Sequence, residues 1–254
     1  MSSPSRHRAI LAYVGTRFHG WQRQTNAPRT VQAVLEKALS SFDAAPVRAL
    51  AAGRTDAGVH ADGQVVHFDL TRERAPERIR DAVNALLPED ARLLAVEPAP
   101  SGFHARRDAV WKEYLYRWSR APVVAPRHAP FVAPLSPRAE IDRMRAAAKD
   151  LPGRRDFGVF GVRLPRGEST IRELHFVRVE EEGDEIRALL RGDAFLRGMA
   201  RSICGLLADV GRGKAPTDRV GELLRTGDRR GLAPKAPARG LTLVRVSYDG
   251  GGGR

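Results

Sequence analysis

Apolar residues in the first half of the chain recur with the period of a helix in some stretches and with that of a strand in others. Between Val31 and Phe42 they recur at helical spacing, and Thr30 stands where its side chain would cap the first turn. A second amphipathic helix is predicted to begin at Pro76. The predicted strands are residues 8–14, 47–52, 64–70 and 92–96. The predicted order of this half is therefore β-α-β-β-α-β.

The second half opens on a predicted strand, residues 110–119, that carries large aromatic side chains on both faces. Such a strand is typical of the centre of a sheet. Five prolines between positions 122 and 137 exclude a helix or an inner strand, so this segment is predicted to be an extended loop. Ser136 and Pro137 are suited to begin a helix. The other predicted elements are strands at 171–180, 185–191 and 241–248, a helix at 194–210 and a short helix after Thr217.

This pattern predicts an α+β fold made of two ferredoxin-like or RRM-like halves with mainly antiparallel sheets. We place the first half at residues 1–105 and the second at residues 106–254. No clean internal repeat is visible in the sequence. The glycine-rich end, residues 250–254, is predicted to be loosely ordered.

The charge balance of the chain favours a polyanionic partner. Its 254 residues include 43 lysines and arginines against 30 aspartates and glutamates, which gives a formal net charge of +13. Many basic proteins merely carry a solvated cationic face, so charge alone does not identify RNA as the partner. Sequence motifs are needed to distinguish an RNA-binding protein from one with a solvated cationic face.

The cysteine content and the hydropathy pattern exclude several classes of protein. The single cysteine, Cys204, excludes an internal disulfide framework and a clustered-thiolate zinc site. The histidines show no zinc-binding spacing, so no metal site is predicted. No apolar run reaches the roughly 18 residues of a membrane span. We therefore expect a soluble, cytoplasmic protein with no membrane association.

The most unusual segment is Ala51–Ala61, where a predicted strand stops at Gly53 and an arginine, a threonine and an aspartate precede a second glycine. Such a loop can expose the Asp56 carboxylate beside the Arg54 guanidinium. In one interpretation Asp56 is a nucleophile or base, and the nearby cation favours its ionised form. In the other, the segment is an ordinary turn in which Asp56 bonds nearby backbone and Arg54 is solvated. The spacing alone leaves both interpretations open.

The octapeptide Gly53–His60, which reads GRTDAGVH, resembles the signature loop of the TruA-type tRNA pseudouridine synthases. This motif is highly specific. Other segments resemble motifs of the same family in order and spacing, although each would be weak singly. They are residues 20–24, 63–68, 103–106, 112–116, 156–160, 195–203 and 235–243. The resemblance thus spans nearly the whole chain.

The resemblance implies a pseudouridine synthase fold and an enzyme that isomerises uridine to pseudouridine in the anticodon stem-loop of tRNA, at positions 38, 39 and 40. It implies that Asp56 is the catalytic nucleophile and that no metal or coenzyme is needed. Attack of the carboxylate at C1′ of the ribose and attack at C6 of the uracil remain open. The resemblance also implies a homodimer.

Four further residues take their implied roles from the same resemblance. Arg54 corresponds to the arginine that helps to displace the target base and holds the RNA backbone, and Tyr114 to the tyrosine that packs on the uracil. Arg201 corresponds to the arginine that pairs with the catalytic aspartate, with Arg197, one helical turn earlier, as its rival. Leu241 corresponds to an apolar residue of the uracil pocket. Each also has a structural explanation, namely a solvated charge for the arginines and a core residue for Tyr114 and Leu241.

Two departures from the family pattern affect packing more than chemistry. Val14 stands where the family commonly has aspartate, which removes a local hydrogen bond. Ala200 stands where it usually has valine, which reduces packing volume. Neither lies in the Asp56 loop.

Two other functions remain as alternatives at this point. A noncatalytic RNA-binding protein with two RRM-like halves explains the charge and the fold, but it leaves the Asp56 loop without a purpose. A glycosidase or nucleoside hydrolase also uses an aspartate near a glycosidic bond. That function requires a second carboxylate as general acid, and none stands out in the sequence.

Overall fold

The computed structural model describes residues 4–27, 29–162 and 167–249. The helices are α1 (Val31–Asp43), α2 (Pro76–Leu86), α3 (Ile141–Ala148), α4 (Met199–Gly211) and α5 (Arg219–Thr226). The strands are β1 (Ser5–Tyr13), β2 (Ala49–Ala51), β3 (His60–Leu70), β4 (Ala91–Pro98), β5 (Trp111–Ser119), β6 (Ala133–Pro134), β7 (Gly153–Asp156), β8 (Ile171–Glu182), β9 (Glu185–Gly192) and β10 (Leu241–Ser247). The glycine-rich end at 250–254 lies outside the described residues.

The chain forms two compact units. The first contains the residues up to Val110 together with the segment from Leu243 onwards, and the second is Trp111–Thr242. Most of β10 therefore belongs to the first unit, whereas the predicted division at 105/106 assigns that strand to the second half. In the first unit β10 lies beside β3, where a Cβ on Gly63 would stand only 2.2 Å from the Val244 carbonyl oxygen.

The first unit is built on strands in the order β4-β1-β3, with β2 also paired to β3. All these pairs are antiparallel. Helix α1 begins as predicted, because the Thr30 hydroxyl accepts a hydrogen bond from the Ala33 amide at 3.3 Å. Leu35 and Leu39 on its inner face are completely buried. The order β-α-β-β-α-β is the predicted one.

The second unit is built on strands in the order β5-β9-β8-β7, all antiparallel, with the short β6 parallel to the end of β5. Helix α3 packs on β8 and on α4. The largest completely buried side chains of this unit are Trp118, Tyr116, Phe157 and Phe160, and burial of such apolar surface supplies the driving force for its core. The predicted α+β class with mainly antiparallel sheets is thus confirmed.

The structure corrects the start of two helices. Helix α3 begins at Ile141 rather than at Ser136, because the Ser136 hydroxyl accepts from the Arg138 amide at 3.2 Å and closes a local turn instead. Helix α4 begins at Met199 rather than near 194, because Gly198 at φ +76° breaks the helical path. Among the described residues, no helix has the length and apolarity needed to cross a membrane.

Two strands are absent from the prediction. The two-residue β6 (Ala133–Pro134) lies in the segment predicted to be an extended loop. Strand β7 (Gly153–Asp156) has the sequence GRRD, is largely exposed and lies at the edge of its sheet beside β8. A strand that buries neither face has no apolar alternation, so its sequence carries no strand signal.

Candidate active site

The Asp56 loop, residues 52–59, connects β2 to β3. Its entry is fixed by the Ala52 amide, which donates to the Val65 carbonyl at 2.8 Å, and its exit by the Val59 amide, which donates to the Asp56 carbonyl at 3.2 Å. Thr55 is buried, Asp56 is half-buried and Arg54 is exposed. The loop therefore turns Thr55 into the unit and presents Arg54 and Asp56 on its outer side.

A buried hydrogen-bond network lies beneath the loop. The Gln64 amide group donates to the Gly53 carbonyl at 2.8 Å and to the Tyr13 hydroxyl at 3.5 Å. The Tyr13 hydroxyl lies 2.9 Å from the Thr55 hydroxyl. Either of the two hydroxyl groups can be the donor in this contact. Burial raises the pKa of Tyr13 to about 12, so its hydroxyl stays protonated at neutral pH.

A second segment, residues 15–21, lies against the loop from its other side. The Trp21 amide donates to the Thr55 carbonyl at 3.0 Å and the Gly58 amide to the Phe18 carbonyl at 3.3 Å. The approach is so close that a Cβ on Gly20 would stand 2.8 Å from the Thr55 carbonyl oxygen. Gly20 also has φ +87°, a conformation that favours glycine. The backbone around Asp56 is therefore held by fixed partners on two sides.

Sequence reasoning missed this supporting segment. The Gly20–Gln24 motif was recognised, but nothing local to it indicates that it touches residues more than thirty positions later. Two glycines, Gly15 and Gly20, were the available signal, because glycine is required where two backbones approach closely.

The two histidines near β3 have structural roles. His60 is buried, and its Nδ1 accepts from the Gly15 amide at 3.1 Å. His67 is also buried, and its Nδ1 accepts from the Ala105 amide at 3.1 Å. Burial, assisted by His104, lowers the pKa of His67 to about 4, so it remains the neutral acceptor this bond requires.

Tyr114 lies on β5 in the second unit, opposite Leu190 of β9. Its side chain is buried and meets the ring of Phe195 edge-on, with 4.8 Å between ring centroids. Edge-to-face contact of this kind fixes the plane of a tyrosine ring. Burial and this contact together restrict the orientation of the Tyr114 ring.

Arg201 lies in the first turns of α4 and is half-buried. Its Nε donates to the Ala236 carbonyl at 2.9 Å, and the Ala236 amide donates back to the Arg201 carbonyl at 3.0 Å. This reciprocal pair fixes the base of the arginine side chain. The expectation that Arg197 lies one turn earlier on the same helix is wrong, because Arg197 is exposed and precedes the helix start at Met199.

Leu241 is the first residue of β10 and is buried. It follows a short 3-10 turn at Ala238–Gly240, whose position is fixed by the Tyr116 hydroxyl, which donates to the Pro237 carbonyl at 2.8 Å. The structure thus assigns Arg54 and Asp56 to the first unit. It assigns Tyr114, Arg201 and Leu241 to the second.

We expect Thr55→Val to destabilise the protein, because it removes the buried hydroxyl that is hydrogen-bonded to the Tyr13 hydroxyl. Valine has nearly the shape of threonine, so the loss is that of the hydrogen bond, about 1–3 kcal/mol in the free energy of unfolding. Urea denaturation measures this change. Thr16→Val, at an exposed position, is the matched control and should leave the unfolding midpoint unchanged. Equal midpoints for the two variants would contradict a structural role for the network.

Comparison with known proteins identifies the family that this chain matches. A family model described as tRNA pseudouridine synthase matches residues 9–107 and 147–249. A protein of Paramagnetospirillum magneticum named tRNA pseudouridine synthase A is 39% identical over 252 residues, covering 98% of this chain and 97% of its own. Proteins of the same name from Listeria monocytogenes and Methylobacterium nodulans are 39% and 42% identical, each over 96% of this chain and over 100% and 96% of their own lengths.

Proposed function

Because this chain belongs to the tRNA pseudouridine synthase family, we propose that it isomerises uridine to pseudouridine in the anticodon stem-loop of tRNA, at positions 38–40, with Asp56 as the nucleophile. The observation that carries the assignment to Asp56 is the anchoring of its loop. Thr55 is bonded to Tyr13 on the inner side, while its carbonyl is bonded to Trp21. A carboxylate on so fixed a backbone is preorganised for attack on a bound substrate.

The reaction exchanges one bond of the base for another. The N1–C1′ bond breaks, the uracil turns, and a C5–C1′ bond forms, after which the C5 hydrogen leaves to water and N1 is protonated. Attack by the Asp56 carboxylate at C1′ releases the base directly, whereas attack at C6 first forms an adduct with the ring. Both routes return the carboxylate unchanged, and the overall reaction is redox-neutral with no atoms gained or lost.

The roles that we propose for the other candidate residues follow from the family resemblance. Arg54, whose side chain is exposed, contacts a phosphate and assists displacement of the target base. The ring of Tyr114 stacks on the uracil, a contact worth about 1–3 kcal/mol per base. Arg201 pairs with the Asp56 carboxylate, and Leu241 lines the uracil site. The net charge of +13 supports a substrate held largely by its phosphates.

We also propose that the enzyme acts as a homodimer in the cytoplasm, where its tRNA substrate is found. The basis is the family resemblance. Light scattering of the purified protein should give about 56 kDa, twice the 27.9 kDa of one chain. A mass near that of one chain at the concentrations used for activity assays would contradict the dimer without affecting the assignment of the reaction.

Product analysis distinguishes the isomerase from both alternatives. An unmodified tRNA transcript is incubated with the protein, digested to nucleosides and separated by chromatography. We expect pseudouridine to appear with no free uracil, and chemical mapping to place it at positions 38–40. Free uracil would indicate a hydrolase instead. Unchanged uridine in a transcript that the protein binds would indicate noncatalytic RNA binding.

A further inference from the structure

A short exposed turn projects from the segment that supports the Asp56 loop. It consists of residues 22–27 and is here named the Arg23 arm. Gln24 and Ala27 are paired across the turn, and the Gln24 amide group donates to the Gln22 carbonyl at 3.3 Å. The side chains at its tip, from Arg23 to Asn26, are all exposed and polar. The arm is therefore an ordered structure that presents hydrogen-bonding groups outward.

The base of the arm is joined to the Asp56 loop. Trp21 is buried, its amide donates to the Thr55 carbonyl at 3.0 Å, and its carbonyl accepts from the Gln32 amide at 3.0 Å. Two further steps along the chain put the Cα of Arg23 within about 7.6 Å of the Cα of Trp21. The arm is therefore close in space to the Asp56 loop, which carries the proposed nucleophile.

Two buried polar side chains of α1 hold the arm in place. The Gln32 side-chain oxygen accepts from the Arg23 amide at 3.0 Å and from the Gln22 side chain at 2.7 Å. Gln32 in turn donates to Glu36 at 2.9 Å, and Glu36 also accepts from the Ala49 amide at 3.1 Å. Both Gln32 and Glu36 are about 94% buried, with relative exposures of 6%.

The second carboxylate oxygen of Glu36 lies 3.3 Å from the guanidinium of Arg23. The arginine side chain nevertheless remains 65% exposed. An ion pair with so exposed a partner contributes little stability, whereas burial of the carboxylate is unfavourable. The contact between Glu36 and Arg23 therefore adds little to stability beyond the hydrogen bonds that Glu36 makes to Gln32 and Ala49. What the pair does achieve is to orient one exposed cation on the arm.

We propose that the Arg23 arm binds the sugar-phosphate backbone of the RNA strand next to the target uridine, with Arg23 contacting a phosphate. The guanidinium uses Nη1 for Glu36, and its fork has further N–H groups for a phosphate oxygen. Contact with phosphate rather than base allows one site to accept uridines at neighbouring positions, because phosphate contacts carry no sequence information. This inference rests on the proposed function.

The test compares Arg23→Gln with Arg48→Gln in the full-length protein, using an unmodified tRNA transcript. Arg48 is also exposed but precedes β2, whereas the Asp56 loop follows that strand. Loss of one phosphate contact should lower the slope of log Kd against log salt by about 0.7–0.9. For Arg23→Gln we expect this change and a Kd raised several-fold, with kcat at saturating tRNA within about twofold of wild type. Arg48→Gln should retain the wild-type slope and Kd.

Arg23→Lys separates loss of charge from disturbance of the arm, and it should retain the wild-type salt slope. An unchanged slope and Kd for Arg23→Gln would overturn the proposed contact while leaving pseudouridine formation intact. The same slope loss in Arg23→Lys as in Arg23→Gln, or in Arg48→Gln, would also overturn it. Absence of pseudouridine formation by the wild-type protein is a different result, which counts against the proposed function itself.

Discussion

Asp56→Asn should abolish turnover while leaving tRNA binding almost unchanged. Asparagine has the shape of aspartate, but its amide is not a nucleophile, so we expect the rate to fall by more than about a thousandfold. The loop should keep its conformation, because its anchors are the Thr55 side chain and backbone bonds to Trp21 and Val59 that do not involve the carboxylate. The Kd for tRNA should stay within about threefold of wild type.

Single-turnover kinetics and filter binding on the same preparation measure the two quantities separately. The matched control is Asp62→Asn, an exposed aspartate on β3 six positions further along the chain, which should retain the wild-type rate. A wild-type rate in Asp56→Asn would remove Asp56 from the mechanism. A large loss of tRNA affinity would instead assign this residue to substrate binding.

Gly15→Ala should have the second largest effect, through the backbone of the Asp56 loop. A Cβ at this position would stand 2.0 Å from the Val59 carbonyl oxygen, a distance that backbone atoms cannot relieve without moving the loop. Overpacking of this kind destabilises a protein by about 1–3 kcal/mol. We expect a lower melting temperature and a fall in kcat of more than about tenfold, because the displaced loop carries Asp56.

Gly102→Ala is the control for this prediction. Nothing lies within 4 Å of the position its Cβ would occupy, so its melting temperature and kcat should equal those of wild type. Differential scanning fluorimetry and the turnover assay give both quantities. A Gly15→Ala protein with wild-type kcat would show that the close approach of residues 15–21 does not position the catalytic loop.

The elements that could be predicted from sequence are those whose signal is local. Helix α1 has an apolar stripe and a capping threonine, and it begins at Val31 as the pattern indicates. The starts of α3 and α4 were misplaced because Ser136 and Gly198 each have two local uses. A serine before proline caps a helix or closes a turn, and the choice is made by its surroundings. A glycine within an apolar run breaks a helix only where its φ is positive, which the sequence does not reveal.

The candidate site also has parts that the sequence predicts and parts that it does not. The Asp56 loop can be predicted because its residues are consecutive in the chain. The residues that anchor the loop cannot, because Tyr13, Gln64 and Trp21 contact it from positions far away in the sequence. Arg197 and Arg201 are both candidates from the sequence because they are four residues apart. The helix start at Met199 excludes the first of them from the face on which Arg201 lies.

The most direct test of the central claim is release of tritium from a tRNA transcript labelled at C5 of its uridines, with wild-type protein and Asp56→Asn in parallel. Formation of the C5–C1′ bond displaces the C5 hydrogen, whereas hydrolysis to free uracil leaves it in place. We predict that the wild-type protein releases tritium in proportion to the pseudouridine formed, and that Asp56→Asn releases none while still binding the transcript. Release by both proteins, or by neither, would contradict the assignment of Asp56 as the nucleophile of a uridine isomerase.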